Sequence, residues 1–254
     1  MKKLITPYLE NKSQTIYGFI WFGFFIISWL LYSYFSSSVI FPSISSVLKG
    51  FTELYNEGLI THVGRSLGLF MKAALIAISF SVFVIYISPI PILKPISRTI
   101  SKLRFLPFAG ISYYLAMVIT DARMSQVAIL SIFTSLFLVT SLEALLKDLG
   151  KEIDHAKTLG CSNYQITIEV IIKGKLDYVV DSVRQNLAII WMSIVMVESM
   201  LTAYGGLGFL IKNGERNGNY GRTIAIQIVI LLIGVTLDYS INKLRKVFFK
   251  YSNF

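Results

Sequence analysis

The residues that could carry out chemistry in this sequence are few and far apart. It contains two histidines, His62 and His155, and one cysteine, Cys161. A single cysteine excludes an internal disulfide framework and an all-cysteine metal site. No Ser-His-Asp arrangement is recognisable, and no Gly-x-x-x-x-Gly-Lys-Ser/Thr loop that would hold ATP phosphates is present. The sequence therefore predicts no catalytic residue, no metal site and no cofactor.

Ionisable residues inside apolar segments are the other candidates for function, because a charge in hydrocarbon costs about 2.5 to 3.5 kcal/mol. Glu198 is one of them, and two interpretations stay open: a group that lines a translocation path, or a buried hydrogen-bond acceptor for a neighbouring helix. Asp181 and Arg184 lie three residues apart on one helical face, which favours a local ion pair. Lys72 either snorkels towards the membrane surface or lines the path.

The composition indicates a protein that uses lipid as its solvent. Of the 254 residues, 54% are hydrophobic and 15% are charged, whereas roughly 25% of the residues of a soluble domain are charged. The net charge of +10 comes from Lys and Arg residues that lie mostly between apolar segments. That arrangement is typical of a membrane orientation signal and argues against nucleic acid as a partner. We expect an all-α integral membrane protein.

Six apolar segments predict transmembrane helices, since about 20 apolar residues span the hydrocarbon core of a bilayer. They are residues 17–35, 60–88, 105–120, 125–146, 178–203 and 223–242. Together they predict one transmembrane domain, residues 17–248, between an N-terminal segment, residues 1–16, and a tail, residues 249–254. Six spans place both termini on the same side of the membrane.

The distribution of Lys and Arg predicts which side that is, because cytoplasmic loops are enriched in these residues. With the N-terminus inside, the inner segments hold sixteen Lys and Arg residues and the outer segments hold five. We therefore expect both termini in the cytoplasm.

Two segments between spans are too patterned to be simple loops. Residues 42–58 predict a short amphipathic helix that begins at Pro42 and Ser43 and lies along the outer membrane surface. Residues 147–176 form a polar cytoplasmic stretch of thirty residues, and unstructured loops of that length are uncommon. We expect this stretch to be folded and functional.

The cytoplasmic stretch predicts two short helices that meet at a glycine. Residues 154–159 form a helical turn that ends at Gly160, where glycine can adopt the positive φ of a helix C-cap. Ser162 and Asn163 offer capping oxygens for a second helix over residues 164–172. Such a hairpin is a blunt knob that could fit a groove on a partner protein.

At this segment the sequence resembles the inner-membrane permeases of ABC importers. Their cytoplasmic signature is Glu-Ala-Ala, three residues, Gly, nine residues, then Ile-x-Leu-Pro. The residues at the matching spacing are Asp154, His155, Ala156, Gly160, Val170 and Ile172. Asp replaces Glu, His replaces the first Ala, and Lys173 stands where the proline belongs.

Further resemblances follow in the same order along the chain. Residues 41–47 (FPSISSV) resemble a Leu-Pro-Ser-Pro-x-x-Val stretch that follows the first span in the nitrate, sulfonate and taurine branch of these permeases. Residues 204–211 (YGGLGFLI) are similar to their Gly-Leu-Gly-Tyr-Leu-Ile turn, and residues 237–245 resemble their last-span ending. The likeness thus extends over most of the chain.

The resemblance implies a coupling segment that docks into a cleft of a separate ATPase. The implied coupling residues are Asp154, His155, Ala156, Lys157, Leu159, Gly160 and Cys161. It also implies ABC-type ATPase subunits, an extracytoplasmic solute-binding protein and a second permease copy, most simply a homodimer, as partners in a bacterial inner membrane. The implied solute is a small one such as nitrate, a sulfonate or taurine. The structural alternative is an ordinary helical hairpin that caps its own bundle.

Three glycines follow the fifth predicted span. Gly205, Gly206 and Gly208 surround Leu207 and predict a re-entrant turn in an outer gate, beside Glu198. A flexible outer loop is the alternative interpretation.

A different class of protein would also fit the spans: an ATP-independent channel or secondary transporter, in which the cytoplasmic hairpin is only structural. Inverted repeats or broken helices near the midplane would favour it, and the sequence contains no convincing internal repeat. A membrane-embedded enzyme would need a cluster of catalytic or metal-binding residues at one depth, and none is evident.

Overall fold

The computed structural model of this chain describes residues 11–35, 42–88, 90, 92–148, 150–174 and 176–248, and these residues form helices and turns without a strand. The predictions for residues 1–10, Phe41 and the tail 249–254 lie outside the described residues. In chain order the elements are α1 (Asn11–Phe35), α2 (Ile44–Asn56), α3 (Leu59–Ile87), α4 (Lys94–Leu103), α5 (Phe108–Val118), α6 (Ala122–Asp148), α7 (Gly150–Thr158), α8 (Asn163–Gln165), a π-helix (Ile166–Lys173), α9 (Leu176–Met200), a 3₁₀ turn (Thr202–Tyr204), α10 (Leu207–Arg216) and α11 (Tyr220–Phe248).

Four of these helices are long and apolar enough to cross a membrane. The candidate spans are Leu59–Ile87, Ala122–Leu146, Leu176–Met200 and Tyr220–Phe248. They have 29, 25, 25 and 29 residues, which at a rise of 1.5 Å per residue gives lengths of about 37 to 44 Å, more than the hydrocarbon core requires.

The other two predicted spans fall on shorter apolar helices. Within α1 the apolar segment is Tyr17–Ser33. The third predicted span, 105–120, contains only the 11 residues of α5, which rise about 16 Å, half of a bilayer core. Pro107 precedes this helix, and Ile119 after it has an extended backbone. The count of six spans stays a prediction.

The core forms where α3, α6, α9, α10 and α11 meet. Its fully buried members include Leu69 and Ala73 of α3, Leu130 of α6, Ile194 of α9 and Ile226 of α11. Small residues on α3 let α6 approach closely, and Ser81 donates a hydrogen bond to the Ser135 carbonyl oxygen across this contact. A second apolar cluster packs α3, α6 and α9 further along the bundle: Val84, Ile85, Leu138, Val139, Leu142 and Val179.

The predicted amphipathic helix between the first two spans is confirmed as α2. Ser43 is its N-cap, and the Ser43 hydroxyl accepts a hydrogen bond from the Ser46 N–H at 3.3 Å. Its apolar side is turned to α11: a Cβ added to Gly50 would lie 2.8 Å from the Arg222 Cα atom. The Arg222 guanidinium also forms an ion pair with Glu57 just after α2. The helix is therefore anchored to the start of α11.

An ion-pair network joins the start of α9 to the end of α11. The predicted pair of Asp181 and Arg184 is present, with Nε and Oδ1 3.2 Å apart. The structure adds two partners from α11: Arg184 contacts Asp238 at 2.7 Å, and Arg245 contacts Asp181 at 2.8 Å. The local pair is thus part of a long-range connection between two helices.

Candidate functional site

Two regions contain the predicted coupling residues and the predicted gate residues. The first is a helical hairpin that we call the knob (residues 150–174). It leaves α6, runs through α7, turns at Gly160 and returns through α8 and the π-helix to α9. A π-helix is rare and often occurs at functional positions. Because the knob connects two packed long helices, a displacement of the knob acts on both.

Local hydrogen bonds close the turn of the knob. Gly160 has a φ of 79°, and the N–H groups of Cys161 and Gly160 donate to the carbonyl oxygens of Ala156 and Lys157 at 3.1 and 3.0 Å. This is the Schellman pattern of a helix C-terminus. Ser162 then caps the returning helix through a reciprocal pair of bonds with Gln165, 2.8 and 3.3 Å long.

The knob buries two apolar side chains and exposes two others. Ala156 and Ile166 are 7% and 4% exposed, whereas Leu159 and Tyr164 are 70% and 76% exposed. Ala156 is one of the coupling residues that the resemblance implies, and its small side chain is buried within the chain.

The remaining residues of the predicted coupling set are all exposed. They are Asp154, His155, Lys157, Leu159, Gly160 and Cys161. Asp154 and Lys157 form an exposed ion pair, 3.5 Å between Oδ1 and Nζ. The structure therefore exposes six of the seven residues and buries Ala156.

The second region is the glycine turn (residues 205–208), which connects the 3₁₀ turn after α9 to α10. Gly205 and Gly206 have φ values of 73° and 119°, where other residues are strained. All four residues are buried. A Cβ on Gly208 would lie 2.8 Å from the Glu198 Cβ and 2.9 Å from the Ser199 backbone nitrogen. Glycine is required here both for conformation and for space.

Glu198 organises the glycine turn from a fully buried position. Its carboxylate accepts a hydrogen bond from the Gly208 N–H at 3.0 Å, and the Ser66 hydroxyl lies 2.8 Å from both carboxylate oxygens. The Ser66 oxygen in turn accepts from the Leu207 N–H at 2.9 Å. The carboxylate thus lies at the N-terminus of α10, where the helix dipole favours a negative charge.

His62 completes the support of the turn. Its Nδ1 accepts a hydrogen bond from the Gly206 N–H at 3.0 Å, and its ring stacks on Phe209 with 5.7 Å between centroids. The sequence analysis noted His62 without giving it a role and did not name Ser66, since each lies more than 130 residues from its partner. A histidine and a serine four residues apart at the start of an apolar helix were the available signal.

Of the two interpretations of Glu198, the geometry matches the buried hydrogen-bond acceptor. The side chain is 0% exposed, and Ser66 and Gly208 occupy its oxygens. It does not line an open surface in this structure. Glu198 could therefore act in a gate only by holding the conformation of the glycine turn.

Comparison with known proteins relates the chain to membrane transport. It is 27% identical over 189 residues to the taurine transport system permease protein TauC of Escherichia coli, across 73% of this chain and 68% of the relative. It is 25% identical over 145 residues to the nitrate import permease protein NrtB of Synechococcus elongatus, across 56% of this chain and 50% of the relative.

A third relative, from Methanocaldococcus jannaschii, bears the name of an ABC transporter permease and is 31% identical over 97 residues, 38% of this chain and 36% of the relative. The chain thus spans about a third to two thirds of the length of these relatives. No family model matches it. The resemblance to ABC transporter permeases of the nitrate, sulfonate and taurine branch is confirmed, and with four apolar helices the chain is a multi-pass membrane protein.

Proposed function

We propose that this relative of ABC transporter permeases is the permease subunit of an ATP-binding-cassette importer. It forms a path for a small solute, and a separate ATPase provides the energy. The observation that carries the proposal is the knob: a self-capped hairpin with a 70% exposed leucine, Leu159, directly before the signature glycine Gly160, in a chain similar to TauC over 73% of its length.

The exposed side of the knob is the proposed docking surface for the ATPase. Leu159 and Tyr164 provide exposed apolar area, and Asp154, His155 and Lys157 provide exposed polar groups on the same hairpin. An apolar centre with a polar rim is the usual anatomy of a protein interface. Gly160 and Cys161 form the tip, where the absence of a bulky side chain permits a close approach.

Movement of the knob would reach the membrane through α6 and α9. These helices begin and end at the knob and pack against each other and against α3. Since packed helices move as units rather than deform continuously, closure of two ATPases would tilt the spans between outward and inward access.

The proposed arrangement in the bacterial inner membrane has six spans, both termini in the cytoplasm and the knob on the cytoplasmic side. The sixteen-to-five excess of Lys and Arg in the inner segments supports it. In this arrangement α1 is the first span and α5 passes through part of the bilayer. The glycine turn then lies on the outer side with α2.

We assign the outer gate to the glycine turn, with Glu198, Gly205, Gly206 and Gly208 as its residues. Buried irregular backbone is tolerated at membrane depth where protein surrounds it, and every residue of this turn is buried. The solute would arrive from an extracytoplasmic binding protein, and a second permease copy would complete the path. The names of the relatives favour taurine, a sulfonate or nitrate as the solute class.

Association with an ATPase tests this proposal. The chain is co-expressed with the ABC-type ATPase encoded beside it, as wild type, as Gly160→Arg and as Gly160→Asn, and the complex is isolated in detergent. A Cβ at Gly160 meets nothing within 4 Å, but φ is positive. Asparagine tolerates this conformation and is small, whereas arginine adds bulk at the tip.

We expect wild type and Gly160→Asn to bind the ATPase and Gly160→Arg to lose it. If the folded, monodisperse wild type binds no ATPase, the importer assignment fails, and an ATP-independent channel or secondary transporter becomes the better account.

A further inference from the structure

Lys72 is an exposed charge near the middle of a membrane-spanning helix. It is the fourteenth of the 29 residues of α3, about 20 Å from the start of the helix by the rise per residue. Among the residues that the structure describes, none forms an ion pair or hydrogen bond with its ammonium group. An unpaired cation at this depth is costly against lipid, so such residues usually face water or a ligand.

Other polar and small residues lie on the same face of α3. Arg65 precedes Lys72 by seven residues and Ser79 follows it by seven, which is two helical turns in each direction. Gly68 lies between the two cations. Arg65 and Lys72 are both exposed, so the first half of this face carries a polar stripe, and the exposed Leu75 and Ile76 interrupt it beyond Lys72.

A third cation comes to this stripe from α6. The Arg123 Nη2 atom donates a hydrogen bond to the Arg65 carbonyl oxygen at 2.6 Å. The same atom would lie 3.7 Å from a Cβ on Gly68. The Arg65 guanidinium in turn lies beside Gly205, with Nη1 2.7 Å from where a Cβ would be. Three cations thus follow one another from the glycine turn along α3 towards the middle of that helix.

The nearby carboxylates do not pair with these cations. The Glu198 oxygens are occupied by Ser66 and Gly208. The Asp121 carboxylate accepts hydrogen bonds from the backbone N–H groups of Arg123 and Met124. Arg123 contacts the neutral Gln126 side chain and the Tyr204 ring. Within the described part of the chain no carboxylate forms an ion pair with Arg65, Lys72 or Arg123, and Glu198 attracts Arg123 only at longer range.

We infer that Arg65, Arg123 and Lys72 line a hydrated track that binds a small oxyanion and runs from the start of α3 to mid-membrane depth at Lys72. Guanidinium groups match the planar arrangement of oxygens in a nitrate, carboxylate or sulfonate, and an ammonium group attracts the same ligands as a point charge. Successive weak sites along a track let a solute both enter and leave. This inference rests on the proposed function, because it names residues of the path of that importer.

Cysteine labelling in proteoliposomes tests the track without knowledge of the ATPase or the binding protein. The variants are Lys72→Cys and, as a matched control, Leu232→Cys. Leu232 is 61% exposed and lies about 18 Å along α11 by the rise per residue, a similar depth on an apolar surface. Cys161 stays in both proteins, and peptide mass spectrometry distinguishes labelling of Cys161 from labelling of the introduced cysteine.

Membrane-impermeant thiosulfonate reagents of opposite charge are applied, with and without sodium nitrate. We expect the anionic reagent to label Lys72→Cys about tenfold faster than the cationic one, because Arg65 and Arg123 attract it. Nitrate should slow the anionic reagent, and Leu232→Cys should react with neither. In an Arg65→Gln background the preference for the anionic reagent should fall.

A position 72 that is as unreactive as position 232 would overturn the inference, since lipid or protein would then cover it. Equal rates for both reagents would also overturn it, because the track would hold water but select no anion. ATPase association is measured on the same preparations, so a chain that binds the ATPase but fails the labelling test refutes the track alone.

Discussion

The glycine turn and the knob are both helix-to-helix connections built on glycines with positive φ, yet they differ in what surrounds them. Around Gly206 a side chain would overlap the Glu198 carboxylate, while around Gly160 a Cβ meets nothing within 4 Å. One turn is held by partners from α3 and α9, and the other by its own backbone. Glycine thus permits tight packing inside the glycine turn, whereas in the knob it forms an exposed tip.

The hydrogen bonds of the two regions differ in range. Those of the glycine turn join residues up to 144 positions apart and are buried or partly buried, whereas those that close the turn of the knob at Gly160 join residues within five positions of each other. Long-range buried bonds make the glycine turn part of the global fold. We therefore expect mutations there to change stability and mutations on the knob surface to change association.

The largest expected effect is that of Gly208→Ala. The new Cβ would overlap the Val195 carbonyl oxygen and press on Glu198 and Ser199, and we expect a loss of at least about 3 kcal/mol in the free energy of unfolding. Thermal melting in detergent measures it. The control is Gly18→Ala in α1, where nothing lies within 4 Å of the Cβ; it should stay within about 1 kcal/mol of wild type. Equal melting of both variants would contradict the tight packing of the turn.

A smaller loss of stability is expected when Glu198, which contacts the glycine turn, is replaced, and Glu169 of the knob provides the comparison. Glu198→Ala leaves the Gly208 N–H and the Ser66 hydroxyl without their buried acceptor, which should cost about 2 to 3 kcal/mol. Glu169→Ala removes an exposed ion pair with Lys173 in the knob and should change stability by less than about 0.5 kcal/mol. Chemical denaturation of both variants gives the comparison. A Glu198 variant as stable as the Glu169 variant would mean that the carboxylate does not hold the turn.

Local sequence signals predicted the parts of the molecule that local bonds hold. The N-cap at Ser43, the positive φ of Gly160 and the cap at Ser162 each follow from residues within a few positions. Spacing on one helix also predicted the pair of Asp181 and Arg184.

Partners from distant elements were beyond the sequence. Nothing near Asp181 indicates that Arg245 of α11 will pair with it. Hydropathy likewise showed the apolar segment 105–120 but not that the helix in it has 11 residues, because helix ends depend on backbone geometry near Pro107 and Ile119. The burial of Ala156 was missed for the same reason: it depends on how the hairpin packs.

Binding of the ATPase to variants of two exposed apolar residues tests the central claim most directly. Leu159→Glu alters the knob, and Tyr55→Glu alters α2 on the proposed outer side; the wild-type side chains are 70% and 68% exposed. The free energy of unfolding of both variants should lie within about 0.5 kcal/mol of the wild-type value, as is usual for surface substitutions. The account predicts that Leu159→Glu weakens ATPase binding by at least about tenfold, or 1.4 kcal/mol, while Tyr55→Glu binds as wild type does. Unchanged binding by Leu159→Glu would contradict it.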